Sequence, residues 1–351
     1  MKAVIYHAYN TIRLEDVPVP SCADGELLIR VHGCGLCGSD ILKITQQVPP
    51  PVKLGHELTG TIVERGRLVD GFEIGQRVVV AHHVPCGACH YCRHGNHSMC
   101  AAFKASNVDP CGFAEYLRVP ATHVAQVTLL LPESLSAEEG SFVEPLACCV
   151  RAVRRTPLLN GDSALVVGLG SIGLLMVQAL KGMAEREGRN VRVYGVDLLP
   201  ERLRLARELG ADAAFAASSD EQALRQALDE QTEGRGVDAA IITAPGARAF
   251  LAALACVRKG GLLTIFAAHA GAVPLDLERL YQQELTVSST YSSSPAELPI
   301  ALDLLASRRV RVDRLISHRL PLERFAEGLA LMRERAALKV YFTMTNEEIY
   351  R

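Results

Sequence analysis

The sequence predicts an α/β protein in which a β-rich domain is interrupted by a domain with a doubly wound parallel sheet. Three observations lead to this prediction. The chain has 351 residues, which is long enough for two domains. Its first third contains short runs of β-branched residues separated by Pro, Gly and Asp. From Ser163 onward, apolar strands alternate with longer helical patterns, as in βαβ units.

The β-rich domain comes first, with predicted strands KAVIY, ELLIRV, TGTIVERG and QRVVVA. The pattern changes near residue 150 and changes back near residue 292. The last segments are predicted as the helices IALDLLASRRV and LERFAEGLALMRER and the strand KVYFTM. We therefore assign residues 1–150 and 293–351 to a catalytic domain and residues 151–292 to a nucleotide-binding domain.

The βαβ region contains six predicted strands, which are SALVVG, VRVYGVD, AAF, VDAAIITA, LLTIFA and TVSSTY. The helices predicted between them are LLMVQALKGMAERE, PERLRLARELG, EQALRQALDEQ and ARAFLAALACV. Strands that alternate with helices in this way form a parallel sheet, because each helix crosses over before the chain enters the next strand.

The composition excludes several classes of protein. A hydrophobic content of 49% with 22% charged residues argues against a disordered chain. The formal net charge of -2 argues against a general nucleic-acid binder. No apolar run approaches the roughly 20 residues of a membrane span, and the N-terminus lacks the cleavage site of a secretion signal. We expect a cytoplasmic protein with no nucleic-acid or membrane partner.

A glycine motif marks a candidate dinucleotide site. The run GLGSIG follows an apolar strand and begins a helix. In this context Gly168 permits a tight turn, Gly170 lets a pyrophosphate approach the backbone, and Gly173 lets the helix pack closely on the strand. Ile172 belongs to the same motif. The alternative is a glycine turn that binds nothing.

The residue at the end of the next strand indicates which dinucleotide binds. Asp197 ends VRVYGVD, where a carboxylate accepts hydrogen bonds from a ribose diol and repels a 2′-phosphate. This favours NAD over NADP. Arg202 is a further candidate cofactor contact, with a surface charge as the alternative.

The chain has 11 cysteines, an odd number that argues against a disulfide framework and favours metal binding or catalysis. Four of them have the spacing Cys86-x2-Cys89-x2-Cys92-x7-Cys100. Four thiolates at this spacing suit a tetrahedral structural zinc with no open position. An iron–sulfur cluster and a redox dithiol pair remain as alternatives.

A second group of residues is informative only as a set. It consists of Cys37, Ser39 and Asp40 in CGSD, His56 and Glu57 in GHE, and Glu144 in EP. Thiolate, imidazole and carboxylate ligands are what a Lewis-acid zinc takes when one position must stay open for a substrate. Taken singly, His56 is as well explained as a turn residue, and Glu144 as a carboxylate at a helix start.

Six motifs together resemble the zinc-dependent medium-chain alcohol dehydrogenases, and the resemblance spans essentially the whole chain. In order along the chain, they are CGLCGSD, GHELTGTIVERG, CGACHYCRHGNHSMC, CGFAEYLRVP, FVEPLACC and VVGLGSIGLL. The GHE and EP versions are similar to the polyol, sugar-alcohol and threonine dehydrogenase branch. The resemblance implies a GroES-like catalytic domain interrupted by a Rossmann domain, two zinc ions per chain, NAD, and a homo-oligomer, either a dimer or a tetramer.

The resemblance also implies roles for individual residues. Cys37, His56 and Glu57 match the ligands of the catalytic zinc, and Glu144 matches a carboxylate that either binds this zinc or holds its water. Asp40 matches the residue that orients the ligand histidine, and Ser39 the hydroxyl through which the substrate proton leaves. Phe266, Ala267 and the stretch 289–291, with Thr290 at its centre, match segments that line the nicotinamide.

Departures from the family pattern bear on the substrate. Leu42 stands where many relatives have a proton-shuttling histidine, and Lys43 stands where an aromatic residue is common. A lysine there suggests an anionic substrate, with a surface lysine as the alternative. His83 matches a substrate-proximal histidine of threonine dehydrogenases, with a surface residue beside the metal-binding lobe as the alternative for both His82 and His83. We expect oxidation of a secondary hydroxyl in a polyol, sugar acid or sugar phosphate; the alternatives are L-threonine 3-dehydrogenase and a catalytically silent NAD(H)-binding sensor.

Overall fold

The computed structural model describes residues 1–8, 11–217, 221–268 and 271–344, and its mixture of sheets and helices confirms the predicted α/β class. The chain divides into two compact units. The first contains Met1–Ala147, Ser293–Ala306 and the residues from Val312 onward, and the second contains Cys148–Ser292 and Ser307–Arg311. No helix in the described ranges is both long enough and apolar enough to cross a bilayer.

The strands, in chain order, are β1 (Lys2–Ala8), β2 (Thr11–Asp16), β3 (Leu27–Gly35), β4 (Glu57–Arg65), β5 (Arg77–Val80), β6 (Tyr116–Val119), β7 (Thr128–Leu130), β8 (Ser163–Val167), β9 (Arg192–Asp197), β10 (Ala213–Ala216), β11 (Val237–Ile242), β12 (Val257–Ile265), β13 (Thr286–Ser289), β14 (His318–Pro321) and β15 (Val340–Thr343). In the first unit, β1 and β2 form an antiparallel ribbon, and a seven-stranded sheet has the order β14-β15-β3-β4-β5-β7, with β6 paired to β3. In the second unit, six parallel strands have the order β10-β9-β8-β11-β12-β13, which is a doubly wound sheet.

The α-helices are α1 (Gly38–Thr45), α2 (His90–Arg93), α3 (Ala101–Ala105), α4 (Ala121–Val127), α5 (Ala137–Ser141), α6 (Val143–Arg154), α7 (Ser171–Arg186), α8 (Pro200–Glu208), α9 (Glu221–Gln231), α10 (Ala247–Cys256), α11 (Leu277–Gln282), α12 (Leu298–Ala306) and α13 (Phe325–Arg333). Short 3₁₀ helices cover His97–Met99 and Leu322–Arg324. The helices α1 to α5, α6 and α11 were not predicted. All of them except α6, which has 12 residues, have at most 8 residues, which is too short for a helical hydrophobic period to show.

Each sheet has its own apolar core. In the first unit the rings of Phe113, Phe325 and Phe342 pack together, with centroids 5.0–5.6 Å apart. In the second unit the buried apolar core includes Leu165 of β8 and Leu263 of β12. Strands of a parallel sheet are covered on both faces, which explains their nearly continuous apolar sequences.

The unit boundary lies at residues 147–148, three residues before the predicted 150–151. It falls inside the single helix α6, so no turn in the sequence marks it. Residues 307–311 also group with the second unit, whereas the sequence assigns them to the catalytic domain. The physical reason is a pair of hydrogen bonds: the amide side chain of Gln178 in α7 accepts from Arg311 N at 2.8 Å and donates to Arg311 O at 3.0 Å.

Candidate functional site

Three potential metal ligands meet beside two paired strands of the first unit. Cys37, His56 and Glu57 each place one ligand atom within 4.8 Å of the others. Cys37 is the N-cap of α1 and lies two residues after the end of β3, whereas His56 immediately precedes β4 and Glu57 is the first residue of β4. The antiparallel pairing of β3 with β4 places Gly35 opposite Glu57, so the fold brings the two segments together. We call these residues the three-ligand cluster.

Asp40 joins the two segments that carry these ligands. Its carboxylate is fully buried in the first turn of α1. Oδ1 accepts a hydrogen bond from Gly55 N at 3.1 Å and lies 3.5 Å from Nδ1 of His56. Oδ2 accepts from Cys37 N at 3.4 Å. The Asp40 carboxylate therefore faces the Nδ1 side of the His56 ring, although 3.5 Å is too long for a hydrogen bond, and Nε2 lies 3.4 Å from Ser39 Oγ.

The turn before His56 requires a glycine. Gly55 has a φ of 80°, in the left-handed region that side chains with a Cβ rarely adopt. A Cβ there would also lie 2.8 Å from the backbone nitrogen of Phe113. The GHE motif is therefore explained by close packing as well as by chemistry.

The charges around His56 favour a cation. Burial lowers the pKa of His56, but the Asp40 carboxylate and the Cys37 thiol raise it more, and the resulting pKa lies well above that of an ordinary histidine. The pKa of Asp40 is lower than usual although burial raises it, because His56 and Lys43 stabilise the carboxylate. A divalent metal at Nε2 would supply the positive charge that this arrangement stabilises.

Glu57 has a partner that the sequence analysis did not identify. Both of its carboxylate oxygens accept hydrogen bonds from Nζ of Lys339, at 2.7 and 2.6 Å. Lys339 immediately precedes β15 and is buried. Burial lowers the pKa of this lysine, but Glu57 raises it more, so the net shift is upward. The only signal in the sequence was a lysine directly before an apolar final strand.

The histidine in contact with the three-ligand cluster is His82. Its ring centroid lies 4.4 Å from that of His56, and it is buried with no hydrogen-bond partner for Nδ1 among the described residues. Burial, together with His56, holds the pKa of His82 well below its usual value, so the ring is neutral. His83 was the sequence candidate. Its ring centroid lies 3.8 Å from that of His82, and its Nδ1 is 2.8 Å from Ser106 O.

The remaining sequence candidates in the first unit are Lys43, Leu42 and Glu144. Nζ of Lys43 is 3.8 Å from Asp40 Oδ1 and 3.4 Å from the backbone oxygen of Lys53, and its side chain is 31% exposed. Leu42 is also exposed. Glu144 is buried in the first turn of α6 and close enough to raise the pKa of Lys339. Its carboxylate is not among the ligand atoms that lie within 4.8 Å of one another.

The four cysteines of the spaced motif also come together. Cys86, Cys89, Cys92 and Cys100 place their sulfur atoms within 4.8 Å of one another, and we call them the four-cysteine cluster. Backbone N–H groups already point at the sulfurs, from Cys86 to Cys100 Sγ at 3.4 Å and from Cys89 to Cys86 Sγ at 3.3 Å. Such N–H groups stabilise thiolates, the form that binds metal.

The lobe around this cluster has almost no core of its own. Its buried apolar group consists of Cys92, Cys100 and Phe103, with Cys89 packed against them. Backbone N–H groups of Cys86 and Phe103 lower the pKa of Cys100 to about 6, while burial and neighbouring thiols raise that of Cys92 to about 12. A metal that binds all four thiolates would supply the cohesion that the core does not.

The glycine motif forms the expected turn in the second unit. Gly168 has a φ of 98°, and a Cβ there would lie 2.8 Å from Ala244 N. A Cβ on Gly173 would collide with the backbone oxygen of Gly168. Gly170 is the N-cap of α7, and a Cβ there would meet nothing within 4 Å. The backbone at the start of this 16-residue helix is therefore open to a ligand, and helix N-termini favour phosphate groups.

Asp197 ends β9 and is buried against this turn. Its Oδ2 accepts a hydrogen bond from Leu169 N at 2.6 Å, and Oδ1 accepts one from Leu199 N at 3.0 Å. Nη1 of Arg202 lies 3.6 Å from Oδ2. The structure thus brings together the motif, Asp197 and Arg202.

The other sequence candidates in the second unit lie at strand and helix ends. Ile172 is in the first turn of α7, and its backbone oxygen is 3.9 Å from Cys149 Sγ. Phe266 follows β12 directly, and Phe266 N and Ala267 N both donate to Ile242 O at 3.0 Å. Thr290 follows β13 and is buried, with no hydrogen-bond partner for its Oγ1 among the described residues.

Comparison with known proteins identifies the family. Residues 23–129 match the alcohol dehydrogenase GroES-like domain, and residues 171–307 match the zinc-binding dehydrogenase domain. The chain is 32% identical to a sorbitol dehydrogenase of Bacillus subtilis (strain 168), covering 97% of this chain and 96% of the relative. It is 33% identical to a D-arabitol-phosphate dehydrogenase of Enterococcus avium, covering 99% of each. The chain belongs to the zinc-dependent medium-chain alcohol dehydrogenases.

This dehydrogenase also has the fold of solved members of the family. A zinc-binding dehydrogenase from Sinorhizobium meliloti 1021, bound to NADP, superposes with a TM-score of 0.87 at 28% identity, covering 98% of this chain and 99% of that one. The predicted family, its polyol branch and the assignment as an alcohol or polyol dehydrogenase are confirmed. Both metal-ligand clusters lie within the residues that match the GroES-like domain.

The residues of this dehydrogenase fit zinc at both clusters. The three-ligand cluster offers a thiolate, an imidazole and a carboxylate, a ligand set that zinc takes in sites with an open fourth position. The four-cysteine cluster offers four sulfurs, which fill a tetrahedral shell and leave no position for a substrate.

Proposed function

We propose that this dehydrogenase oxidises a secondary hydroxyl of a polyol, sugar acid or sugar phosphate, with a catalytic zinc at the three-ligand cluster and NAD as hydride acceptor. The observation that carries the proposal is the convergence of three different metal-ligand types, with only one ligand atom from each, in a buried position. Such a set leaves a position for a substrate oxygen. A sugar-alcohol substrate agrees with the names of the sorbitol and arabitol-phosphate relatives.

The proposed chemistry separates a proton and a hydride. When bound, zinc supplies Lewis acidity that makes the substrate hydroxyl easier to deprotonate. NAD, when bound, accepts the hydride, a hydrogen with its electron pair, from the carbon atom that bears the substrate hydroxyl. Within the chain, Asp40 faces Nδ1 of His56, and Ser39 Oγ, 3.4 Å from Nε2, is placed to take the hydroxyl proton. Because Leu42 stands where many relatives have a histidine, Ser39 would pass the proton on without a histidine, and water or a ribose hydroxyl of bound NAD would be the available acceptors.

The four-cysteine cluster is proposed to hold a structural zinc, giving two zinc ions per chain. The support is the closed set of four sulfurs in a lobe whose buried apolar group has three members. None of the 11 cysteines is in a disulfide, which agrees with the reducing cytoplasm as the site of action.

The choice of NAD is supported by Asp197 and tested by replacing it. Its carboxylate lies beside the glycine turn, where it would repel a 2′-phosphate. Arg202 lies 3.6 Å away and is the counter-argument, because a guanidinium binds phosphate well. The ratio of kcat/KM for NAD over NADP in the wild type and in Asp197→Ser decides between them. We expect a ratio above one that falls in the variant.

The substrate is proposed to carry an anionic group as well as the hydroxyl. Lys43 extends from α1 towards the Asp40 carboxylate, yet among the described residues its ammonium makes only one long hydrogen bond, of 3.4 Å, to Lys53 O. Its ammonium therefore retains donors for a phosphate or carboxylate. His82 contacts the His56 ring, and its Nδ1 has no hydrogen-bond partner among the described residues, so it would be available for a second substrate hydroxyl. Threonine is less well supported, since Nδ1 of His83 is occupied by Ser106 O.

The experiment that tests the function combines metal analysis with an activity panel. NADH formation is followed by absorbance with sorbitol, arabitol, arabitol phosphate, a sugar acid and threonine, on protein of measured zinc content. We expect two zinc ions per chain and NADH from at least one sugar derivative, with the molar mass from light scattering giving the oligomeric state. One zinc per chain and no NADH from any substrate would instead support the silent NAD(H)-binding sensor.

A further inference from the structure

The ring of His56 is held on one side by packing against another ring. Its Nδ1 is buried with no hydrogen-bond partner among the described residues, and Oδ1 of Asp40 lies 3.5 Å away. The ring of His82 lies against it, with centroids 4.4 Å apart and 33° between the ring planes. A histidine binds a metal well only when its neighbours keep the ring oriented. The orientation of His56 therefore depends on where His82 lies.

Hydrogen bonds fix the backbone that carries His82. Nε2 of His123 donates to His82 O at 3.0 Å. The next two residues along the chain bond to Ser106: Val84 N donates to Ser106 Oγ at 2.7 Å, and Nδ1 of His83 donates to Ser106 O at 2.8 Å. The rings of His82 and His83 are stacked, with centroids 3.8 Å apart. Movement of this segment away from Ser106 would therefore also move the His82 ring.

Ser106 belongs to the lobe that carries the four-cysteine cluster. It is the C-cap of α3, and its Oγ donates to Phe103 O in that helix at 2.9 Å. The N-cap of the same helix is Cys100, one of the four cysteines. Phe103 packs with Cys100 and Cys92, and its ring centroid lies 4.8 Å from that of His83. The lobe and the histidine segment therefore meet at α3.

This helix needs support from outside itself. It has five residues, and a helix of one turn is not stable alone, because its nucleation costs more than its few hydrogen bonds return. A metal bound to Cys100 would fix its first residue, and Ser106 connects its last turn to the histidine segment. The position of His82 is therefore linked to the four-cysteine cluster through one short helix.

We propose that Ser106 is a positioning residue that ties His82–Val84 to α3, so that metal at the four-cysteine cluster keeps the His82 ring against His56. This inference rests on the proposed zinc ions at both clusters. The bonds of Ser106 to this segment and to Phe103 involve no residue of either cluster. Because coupling between binding sites is reciprocal, metal at each cluster then raises the affinity of the other.

The first test measures zinc affinity at the three-ligand cluster in Ser106→Ala. The full chain is used with its four-cysteine cluster loaded, and the dissociation constant is obtained by competition with a chromophoric chelator. We expect zinc binding about tenfold weaker than in the wild type, the lower end of the range for residues that act through a metal ligand. Ser106→Thr keeps the hydroxyl and should bind zinc as the wild type does. An unchanged dissociation constant in Ser106→Ala would overturn the proposal.

Ser136→Ala is the matched control. Like Ser106, Ser136 lies in the first unit, and its Oγ accepts a hydrogen bond from a backbone N–H, that of Glu139 at 3.1 Å. Loss of this hydroxyl should lower the melting temperature without changing zinc affinity. If both variants weaken zinc binding equally, or if Ser106→Ala lowers only the melting temperature, Ser106 has a structural role alone and the inference is wrong.

A double-variant cycle shows whether the effect passes through His82. In a His82→Ala background the clamp has no ring to position, so Ser106→Ala should no longer weaken zinc binding at the three-ligand cluster. Weakening of the same size in both backgrounds would contradict the proposed route. Cobalt(II) at the three-ligand cluster gives a second readout, since its visible spectrum reports ligand geometry. The spectrum should change in Ser106→Ala and return in Ser106→Thr, and an unchanged spectrum counts against the proposal.

The link to the four-cysteine cluster is tested with Cys89→Ser. Emptying that cluster should weaken zinc binding at the three-ligand cluster at least as much as Ser106→Ala does, and adding Ser106→Ala should then have no further effect. Wild-type affinity at the three-ligand cluster in folded Cys89→Ser would overturn the coupling. If Cys89→Ser does not fold, Ser106→Ala, which keeps all four cysteines, decides the proposal by itself.

Failure of the proposed function has a different signature. A wild-type chain that binds metal only at the four-cysteine cluster, with Cys37→Ser leaving the metal content unchanged, overturns the catalytic zinc and this inference with it. Two metals in the wild type, with the same zinc affinity in Ser106→Ala, overturn the inference alone.

Discussion

The two clusters of metal-ligand residues in the first unit are built in different ways. The four-cysteine cluster takes its residues from one short segment, uses one ligand type, and has a buried apolar group of three residues beside it. The three-ligand cluster joins α1 to the start of β4, mixes three ligand types, and is surrounded by the buried side chains of Asp40, His82 and Lys339. Four identical ligands that fill the coordination shell of a metal are typical of a structural site. Three ligands that leave one position open, with neighbouring side chains that orient them, are typical of a catalytic site.

The largest effect is expected at the four-cysteine cluster, where the proposed structural zinc would stabilise a lobe with few buried apolar residues. Cys89→Ser should unfold or strongly destabilise the lobe, because a structural zinc supplies folding free energy of about 10 kcal/mol in small peptides, and part of that in a larger domain. The melting temperature and zinc content are measured together. Cys22→Ser is the matched control, a partly exposed cysteine outside both clusters, and it should leave both quantities unchanged.

The same variant can separate the two roles. If Cys89→Ser loses one zinc and its catalytic rate but melts like the wild type, then the four-cysteine cluster contributes to chemistry rather than to folding, and the contrast between the clusters disappears.

The second largest effect is expected at the three-ligand cluster. Cys37→Ser should lower kcat/KM by roughly a thousandfold or more, since a Lewis acid contributes several kcal/mol and each 1.4 kcal/mol is a factor of ten. The melting temperature should change little, because the fold around Cys37 rests on the β3–β4 pairing and a large apolar core. Steady-state kinetics and calorimetry on the same preparation check this. A large loss of stability with activity per folded molecule retained would contradict it.

The sequence predicts the four-cysteine cluster and the nucleotide turn well because each depends on local spacing. Thiolates at Cys-x2-Cys intervals can reach one ion without long-range folding, and GLGSIG is a single turn between a strand and a helix. The alternation of strands and helices likewise predicts the parallel sheet. The short helices of the first unit could not be predicted, since one or two turns do not show a period.

The sequence predicts the surroundings of the three-ligand cluster less well, because tertiary contacts determine them. Lys339 reaches Glu57 across 282 residues, and no local pattern signals that contact. His82 and His83 are neighbours in the chain, so the family pattern alone could not show that the ring of His82 faces His56. Residues 307–311 join the second unit through Gln178, again a long-range contact.

A smaller effect should follow from removing the charge that faces Nδ1 of His56. Asp40→Asn keeps an acceptor for Gly55 N but weakens the interaction with Nδ1 of His56, and we expect a loss of about 10–100-fold in kcat or zinc affinity. Zinc competition and kinetics measure the two separately. Asp109→Asn is the control, an aspartate of the same unit that pairs with Lys53 and Arg118 instead. If both variants behaved like the wild type, kcat and zinc affinity at the three-ligand cluster would not depend on the charge of Asp40.

The smallest effect is expected at Lys43, beside the three-ligand cluster, where its charge would favour an anionic substrate. Its ammonium is partly exposed and only weakly bonded within the chain. A charge-assisted hydrogen bond to a phosphate or carboxylate contributes roughly 1.5–3 kcal/mol. Lys43→Met should therefore raise KM for an anionic substrate such as arabitol phosphate by about 10–100-fold, and leave KM for neutral arabitol nearly unchanged.

Lys53 offers the matched control for this last variant. Its Nζ bonds to Val108 O at 2.8 Å and to Asp109 at 3.0 Å, and Lys53→Met keeps the backbone oxygen that Lys43 contacts. General loss of positive charge would raise KM equally in both variants, whereas a specific contact raises it only in Lys43→Met. If Lys43→Met changes KM equally for arabitol phosphate and for arabitol, the Lys43 ammonium interacts with Asp40 and not with the substrate. A neutral polyol is then the better candidate substrate.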